Sequence, residues 1–173
     1  MASSCIEFEV KEYWVRDSVV ETWQISLVDE IKSRALNESW ILEFQKELAF
    51  QAIPLIIGGM SMHLNECLTS LDRKEQFKEW VQAIIEKMKN DPDYVSGKHY
   101  HKLRRQALQM LRDQGELRIS KEKEFEKMLN SSCWAEADLS DYQERYIEFF
   151  QALIGIVEQR DMDFSYCYTA KNT

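Results

Sequence analysis

Apolar residues recur at helical spacing through most of the chain. Behind a candidate cap at Asp17 or Ser18, the residues Val19, Val20, Trp23, Leu27 and Ile31 share one side of a helix running to about Asn37. Ser39 opens a second, with Trp40, Ile41, Phe44, Leu48 and Ile53 on one face until Pro54, which cannot donate to the preceding turn. Positions 54–71 are apolar nearly all round in their first half and predict a third helix, the most buried of the set. Asp72, with Glu75 placed for a capping box, begins a fourth whose inward stripe is Phe77, Trp80, Val81, Ile84, Ile85 and Met88. Asn90, Asp91, Pro92 and Asp93 stop it.

Ser96 starts a fifth helix carrying Tyr100, Leu103, Ala107, Met110 and Leu111, and Gly115 ends it. Ser120 can cap a short sixth containing Phe125, Met128 and Leu129. Lys123 stands at its third position, so no capping box forms. Positions 130–138 read as a loop holding Cys133 and Trp134. Ser140 or Asp141 then opens the last helix, with Tyr146, Phe149, Phe150, Leu153, Ile154 and Val157 inward and an end near Arg160.

The two ends have a different period. Ile6, Phe8 and Val10 alternate with Glu7, Glu9 and Lys11, and Phe164, Tyr166 and Tyr168 alternate with Ser165 and Cys167. These segments predict either a small β-ribbon, paired with each other or against 117–119, or two extended arms laid on helices. No repeat, linker or low-complexity stretch divides the chain. The expected architecture is all-α, a single-domain bundle of six to seven helices over residues 1–173, with that terminal β-ribbon as its one β feature.

Composition narrows the class. With 45% apolar residues, five Gly and two Pro in 173, the chain is neither disordered, collagen-like nor a disulfide miniprotein. Lys+Arg number 22 against 30 Asp+Glu, a net charge of −8, which argues against a dedicated nucleic-acid binder. Glu7 and Glu9 interrupt any secretory signal pattern, and Ala2 stands where myristoylation needs glycine. The longest stretch without Asp, Glu, Lys or Arg, 48–65, is broken by Gln51, Pro54, Gly58, Gly59, Ser61 and His63, and reads as a buried helix rather than a membrane span. Cys5, Cys67, Cys133 and Cys167 show no CxxC or metal-type spacing, so free thiols in a reducing cytoplasm are expected. Cys5 and Cys167 could meet if the termini pair.

No GxGxxG, GxxxxGK, GxSxG or HExxH motif occurs. His63 and Glu66, three apart, have a spacing that metal sites use, and a metal-dependent bundle enzyme could join them to His99 or His101, with Asp91 and Asp93 upstream. Residues two apart on a helix point in roughly opposite directions, however, and no Glu-x-x-His motif of the di-iron type is present, so neither metal nor cofactor is expected. Lys98, His99, His101, Lys102, Arg104 and Arg105 form the densest basic run, with Tyr100 interleaved. They could contact phosphate or an RNA base, meet an acidic partner, or be a solvated face.

At the start of the final helix Asp138, Asp141, Glu144 and Glu148 cluster beside Trp134. Trp23, Trp40 and Trp80 lie on apolar stripes, whereas Trp14 and Trp134 lie off them, either closing the ends of the core or standing exposed as interface anchors. The leading expectation is a non-catalytic cytoplasmic domain that binds a protein partner, a toxin or enzyme, through an acidic aromatic face. An immunity or antitoxin-type inhibitor of a basic nuclease is the specific form. A nucleic-acid-associated regulator using 98–105 and a metal-dependent enzyme around His63 and Glu66 are the alternatives.

Overall fold

The chain begins with a hairpin, because inward apolar residues alternate on both of its arms. Strand β1 (Ser3–Phe8) buries Ser4, Ile6 and Phe8, and β2 (Lys11–Arg16) buries Tyr13 and Val15, leaving Glu7, Glu12 and Trp14 outside. The structure, a computed structural model, describes residues 3–51, 59–117, 122–130, 143–164 and 167–169. Among these residues seven α-helices follow: α1 (Asp17–Ser33), α2 (Ser39–Gln51), α3 (Leu64–Cys67), α4 (Leu71–Asn90), α5 (Gly97–Asp113), α6 (Glu122–Leu129) and α7 (Gln143–Val157), with a 3-10 turn at Pro92–Val95. Two short strands, β3 (Asp163–Phe164) and β4 (Cys167–Thr169), return to the hairpin. The sheet order is β1-β2-β4-β3, every neighbour antiparallel.

The fold is therefore an all-α bundle with a small β element, but the two predicted terminal segments do not pair with each other: β1 pairs with β2, and it is β2 that receives the C-terminal strand β4. Val10 is not part of a strand: it sits in the hairpin turn, 87% exposed. Cys5 lies opposite Trp14 on β1 and Cys167 opposite Val15 on β4, with β2 between them. Strands two apart are separated by about 10 Å, beyond the reach of a disulfide, and Cys5 is a free thiol.

Helix α1 is the centre of the bundle, packed against α2, α4, α5, α7 and the hairpin. Residues 22–28 carry no charge, so that stretch is buried on every side, and hydrogen bonds tie it to its neighbours: Trp23 Nε1 donates to Phe149 O at 2.9 Å, and Gln24 Nε2 to Ser61 O at 2.8 Å. Gln45 Nε2 of α2 donates to Val28 O at 2.9 Å. The buried Glu30 is held by Arg34 and Lys87 at 2.7 and 2.6 Å. Trp40 and Trp80 stack at 5.8 Å, with the Arg73 guanidinium 4.7 Å over Trp40.

Two sequence expectations are corrected here. The predicted helix over 54–71 breaks up in its described part: residues 59–63 have no regular structure, with His63 left-handed, and a helix of one turn, Leu64–Cys67, precedes α4. Met60, Met62 and Leu64 are buried while Ser61 and His63 are only half-buried, a period of two that the apolar density of the segment conceals. Its first half lies outside the described residues. Second, α4 starts one residue before Asp72 and is capped by Ser70, whose Oγ accepts from Arg73 N at 3.3 Å, so no capping box with Glu75 forms.

The limits of α5 follow the sequence, whereas α1 ends at Ser33 rather than near Asn37 and α7 at Val157 rather than near Arg160. Ser96 Oγ accepts from His99 N at 3.2 Å to start α5, and Gly115 leaves it at φ 74°. Asp17 is already inside α1. Its carboxylate accepts a 2.6 Å hydrogen bond from Ser4 Oγ, which fastens β1 to the helix start.

Candidate functional site

The outward residues of the hairpin form one wall of a cleft. On β1 and β2 the register sets Cys5 opposite Trp14 and Glu7 opposite Glu12, all on the face away from the core. The facing wall is the segment from Gly59 to Glu66. Ser4 Oγ accepts from Met60 N at 3.0 Å, the Gln24 amide holds Ser61 O, and Asn65 Oδ1 accepts from Glu9 N at 2.7 Å. Between these walls lies a space of about 290 Å³. The Trp14 ring, Glu7, Glu66, Cys5, His63 and Asn65 line it. Trp14 is 37% exposed.

Its electrostatics are one-sided. Glu7 and Glu66 stand on the walls, Glu12 faces Glu7 across the hairpin, and the lining includes no Lys or Arg. Neighbouring cations are engaged elsewhere: Lys11 with Asp161 at 2.7 Å, and Lys74 with Glu9. Arg16 lies at the opposite end of β2, across from Ser3 and outside the cleft. The Cys5 thiol is pushed up by burial and then by Glu12 and Glu7.

The cleft does hold His63 and Glu66, the pair with metal-type spacing, but not on one helix face. His63 precedes α3 in the left-handed region (φ 48°), with its Nε2 3.9 Å from Glu47 and 3.5 Å from the Gln51 amide. Among the described residues no group of three or more His, Cys, Asp or Glu is placed to hold a metal ion. Burial, then Glu66, pushes the Cys67 thiol up to about 11, so at neutral pH it is not the thiolate that nucleophilic chemistry requires.

The basic run is divided by its own helix. Lys98 and Lys102 are exposed, whereas Arg104 is 2% exposed and paired with Glu21 of α1. Arg105 grips Glu126 of α6 in two hydrogen bonds of 2.8 and 3.0 Å. His99 is half-buried against Tyr94, ring centroids 4.4 Å apart, and burial pushes its pKa down. Its remaining solvent-facing charge is therefore Lys98 and Lys102, with His101 half-buried.

Of the acidic cluster, Glu144 and Glu148 stand exposed on the first two turns of α7. Neither makes an ion pair among the described residues, since Arg145 beside them reaches over the Phe149 ring at 6.0 Å instead. Trp134, Asp138 and Asp141 lie outside the described residues. The cleft itself was missed in the sequence. Its signal was the alternation of Tyr13 and Val15 about Trp14, which marks β2 and puts the indole on the open face.

No family model, curated protein or solved structure matches this chain. Among the described residues no helix is long and apolar enough to cross a membrane.

Proposed function

We propose that this is a non-catalytic protein-binding domain that recognises a basic partner through acidic, aromatic-bearing surface, acting as an immunity or antitoxin-type inhibitor. The observation that carries this reading is the cleft: an exposed Trp14 lines it together with Glu7 and Glu66, and among the described residues no Lys or Arg joins that lining. Exposed aromatic residues dominate binding energy, and a field of one sign speeds encounter with a partner of the other. The beginning of α7, with Glu144 and Glu148, is a second acidic surface to which Trp134, Asp138 and Asp141 would add. The cleft is favoured because its aromatic ring and its acids line a single space. Inhibition on this reading is occlusion, with carboxylates taking the positions that a nuclease reserves for substrate phosphates.

The test is native co-purification from the source cell followed by mass spectrometry. The expected result is a stoichiometric protein partner, with association slowed by salt. Trp14→Ala should raise the dissociation rate about 30-fold, the scale of a hot-spot residue, while Glu144→Lys with Glu148→Lys should lower the association rate about tenfold. Retained RNA or metal in place of a protein would overturn the reading, and unchanged kinetics in both variants would remove these surfaces from it.

A further inference from the structure

The cleft has features that select among cations, and they go beyond the general reading of an acidic face, on which this inference rests. Its ligand must satisfy the Trp14 indole and the Glu7 carboxylate of the hairpin wall and Glu66 of the facing one, in a space of about 290 Å³ with polar walls. A neutral apolar group would leave Glu7, Glu66 and the Asn65 amide facing it, and an anion would be repelled. A chelated divalent ion lacks its ligands, because no three candidate groups converge among the described residues.

We propose that the cleft is a socket for a guanidinium group, taking an arginine side chain of the partner with its plane on Trp14 and its N–H groups directed to Glu7 and Glu66. Arginine fits better than lysine on three physical grounds. Its planar head stacks on an indole, it is more weakly hydrated than an ammonium, and its five donors point in fixed in-plane directions that can serve two carboxylates at once. Lysine offers a compact, strongly hydrated charge that neither stacks nor forks.

An independent feature of the hairpin agrees. Glu7 and Glu12 are directly opposed across β1 and β2, a like-charge cross-strand pair that is unfavourable in isolation. A cation in the cleft relieves it. The Cys5 thiol, opposite Trp14, reports the same uncompensated field, since Glu12 and Glu7 add to burial in holding its proton on. The wall is also built to keep its shape: Ser4, Gln24 and Asn65 fix the backbone at Met60, Ser61 and Glu9 by hydrogen bonds of 2.7–3.0 Å.

The experiment uses the full chain and three blocked amino acids, N-acetyl-arginine methylamide, its lysine counterpart, and the citrulline counterpart, which keeps arginine's shape without its charge. The five indole N–H resonances are followed by ¹⁵N-¹H correlation NMR, that of Trp14 being assigned by its loss in Trp14→Phe. Arginine should shift the Trp14 signal saturably with a Kd of about 1–10 mM, about tenfold tighter than citrulline, the difference expected between a charge-assisted and a neutral hydrogen-bonded contact. In the Glu7→Gln/Glu66→Gln double variant that preference should vanish while the other four indole signals stay in place, which shows that the fold survives.

Equal responses to arginine and citrulline, lysine binding as tightly as arginine, or no response to arginine up to ~100 mM would each overturn the socket. The same double variant, carried through the co-purification, separates this proposal from the reading beneath it. A partner lost from the variant although arginine never bound would sink the socket and leave the partner face standing. Arginine bound by the chain but the partner retained at full strength by the variant would overturn the socket as the partner's contact and take the cleft out of the partner face.

Discussion

Ala35 and Gln159 follow the ends of α1 and α7 in the same left-handed conformation, at φ 51° and 56°. Gln159 has a use for its side chain, since its Nε2 donates to Phe8 O at 2.7 Å and ties the end of α7 to β1. Ala35 is exposed, so burial of its methyl group does little to offset the crowding that a Cβ suffers there. Ala35→Gly should therefore stabilise the protein by about 0.5–1 kcal/mol, read as a raised denaturation midpoint, whereas Gln159→Gly should lower it. Ser4 is the opposite kind of position: fully buried and polar, it donates to Asp17 and accepts from Met60 N. Ser4→Ala leaves both partners short of a hydrogen bond and should cost about 1–3 kcal/mol, measured by the same denaturation.

Helices with a single apolar stripe and a polar back were legible in the sequence: α4 matches its stripe residue by residue, and α5 and α7 match theirs except that Met110 and Ile154 are only partly buried while Leu108 and Ile156 are fully inside. Two kinds of element were not. A fully buried helix has no contrast between faces: α1 looked like an ordinary amphipathic helix because its buried back is made of Thr22, Gln24 and Ser26, polar by letter but inside, where Thr22 bonds Ser18 O and Gln24 bonds Ser61 O. A short strand cannot announce itself either, so β2 passed unnoticed and with it the cleft that Trp14 lines. The basic run shows the same difficulty on the scale of one helix, for adjacent letters there point to different places. Arg104→Ala breaks a buried ion pair and should cost about 3–5 kcal/mol, while Lys102→Ala on the exposed face should stay within about 0.5 kcal/mol. Any test of nucleic-acid binding belongs on Lys98 and Lys102, because an electrophoretic shift lost with Arg104 would report unfolding.

The whole molecule is bounded in pH by groups the fold keeps neutral. Burial raises Cys67 from 9.0 to about 11, and raises Tyr94 and Tyr100 above their ordinary 10.0. Their contribution is complete below those ordinary values and is lost as pH rises towards the raised ones, so stability should decline from about pH 9 upward. His99 works in the other direction: burial lowers it from 6.5, so its contribution is present above pH 6.5 and is lost as pH falls through the lowered value. A plot of unfolding free energy against pH should show a plateau with two falling limbs. Cys67→Ala should soften the alkaline limb and His99→Gln the acid one, and a profile unchanged by either would show that these side chains are not neutral because of the fold.

The middle position of β2 has a consequence for how the chain matures. On a ribosome the β1–β2 hairpin emerges before the helices, yet the flank of β2 that meets β4 has no partner until residues 167–169 are made and free. Throughout synthesis the nascent protein therefore carries a strand with bare amide and carbonyl groups, the kind of edge on which neighbouring chains can template each other. Slow translation at high expression should be when this protein most needs a chaperone.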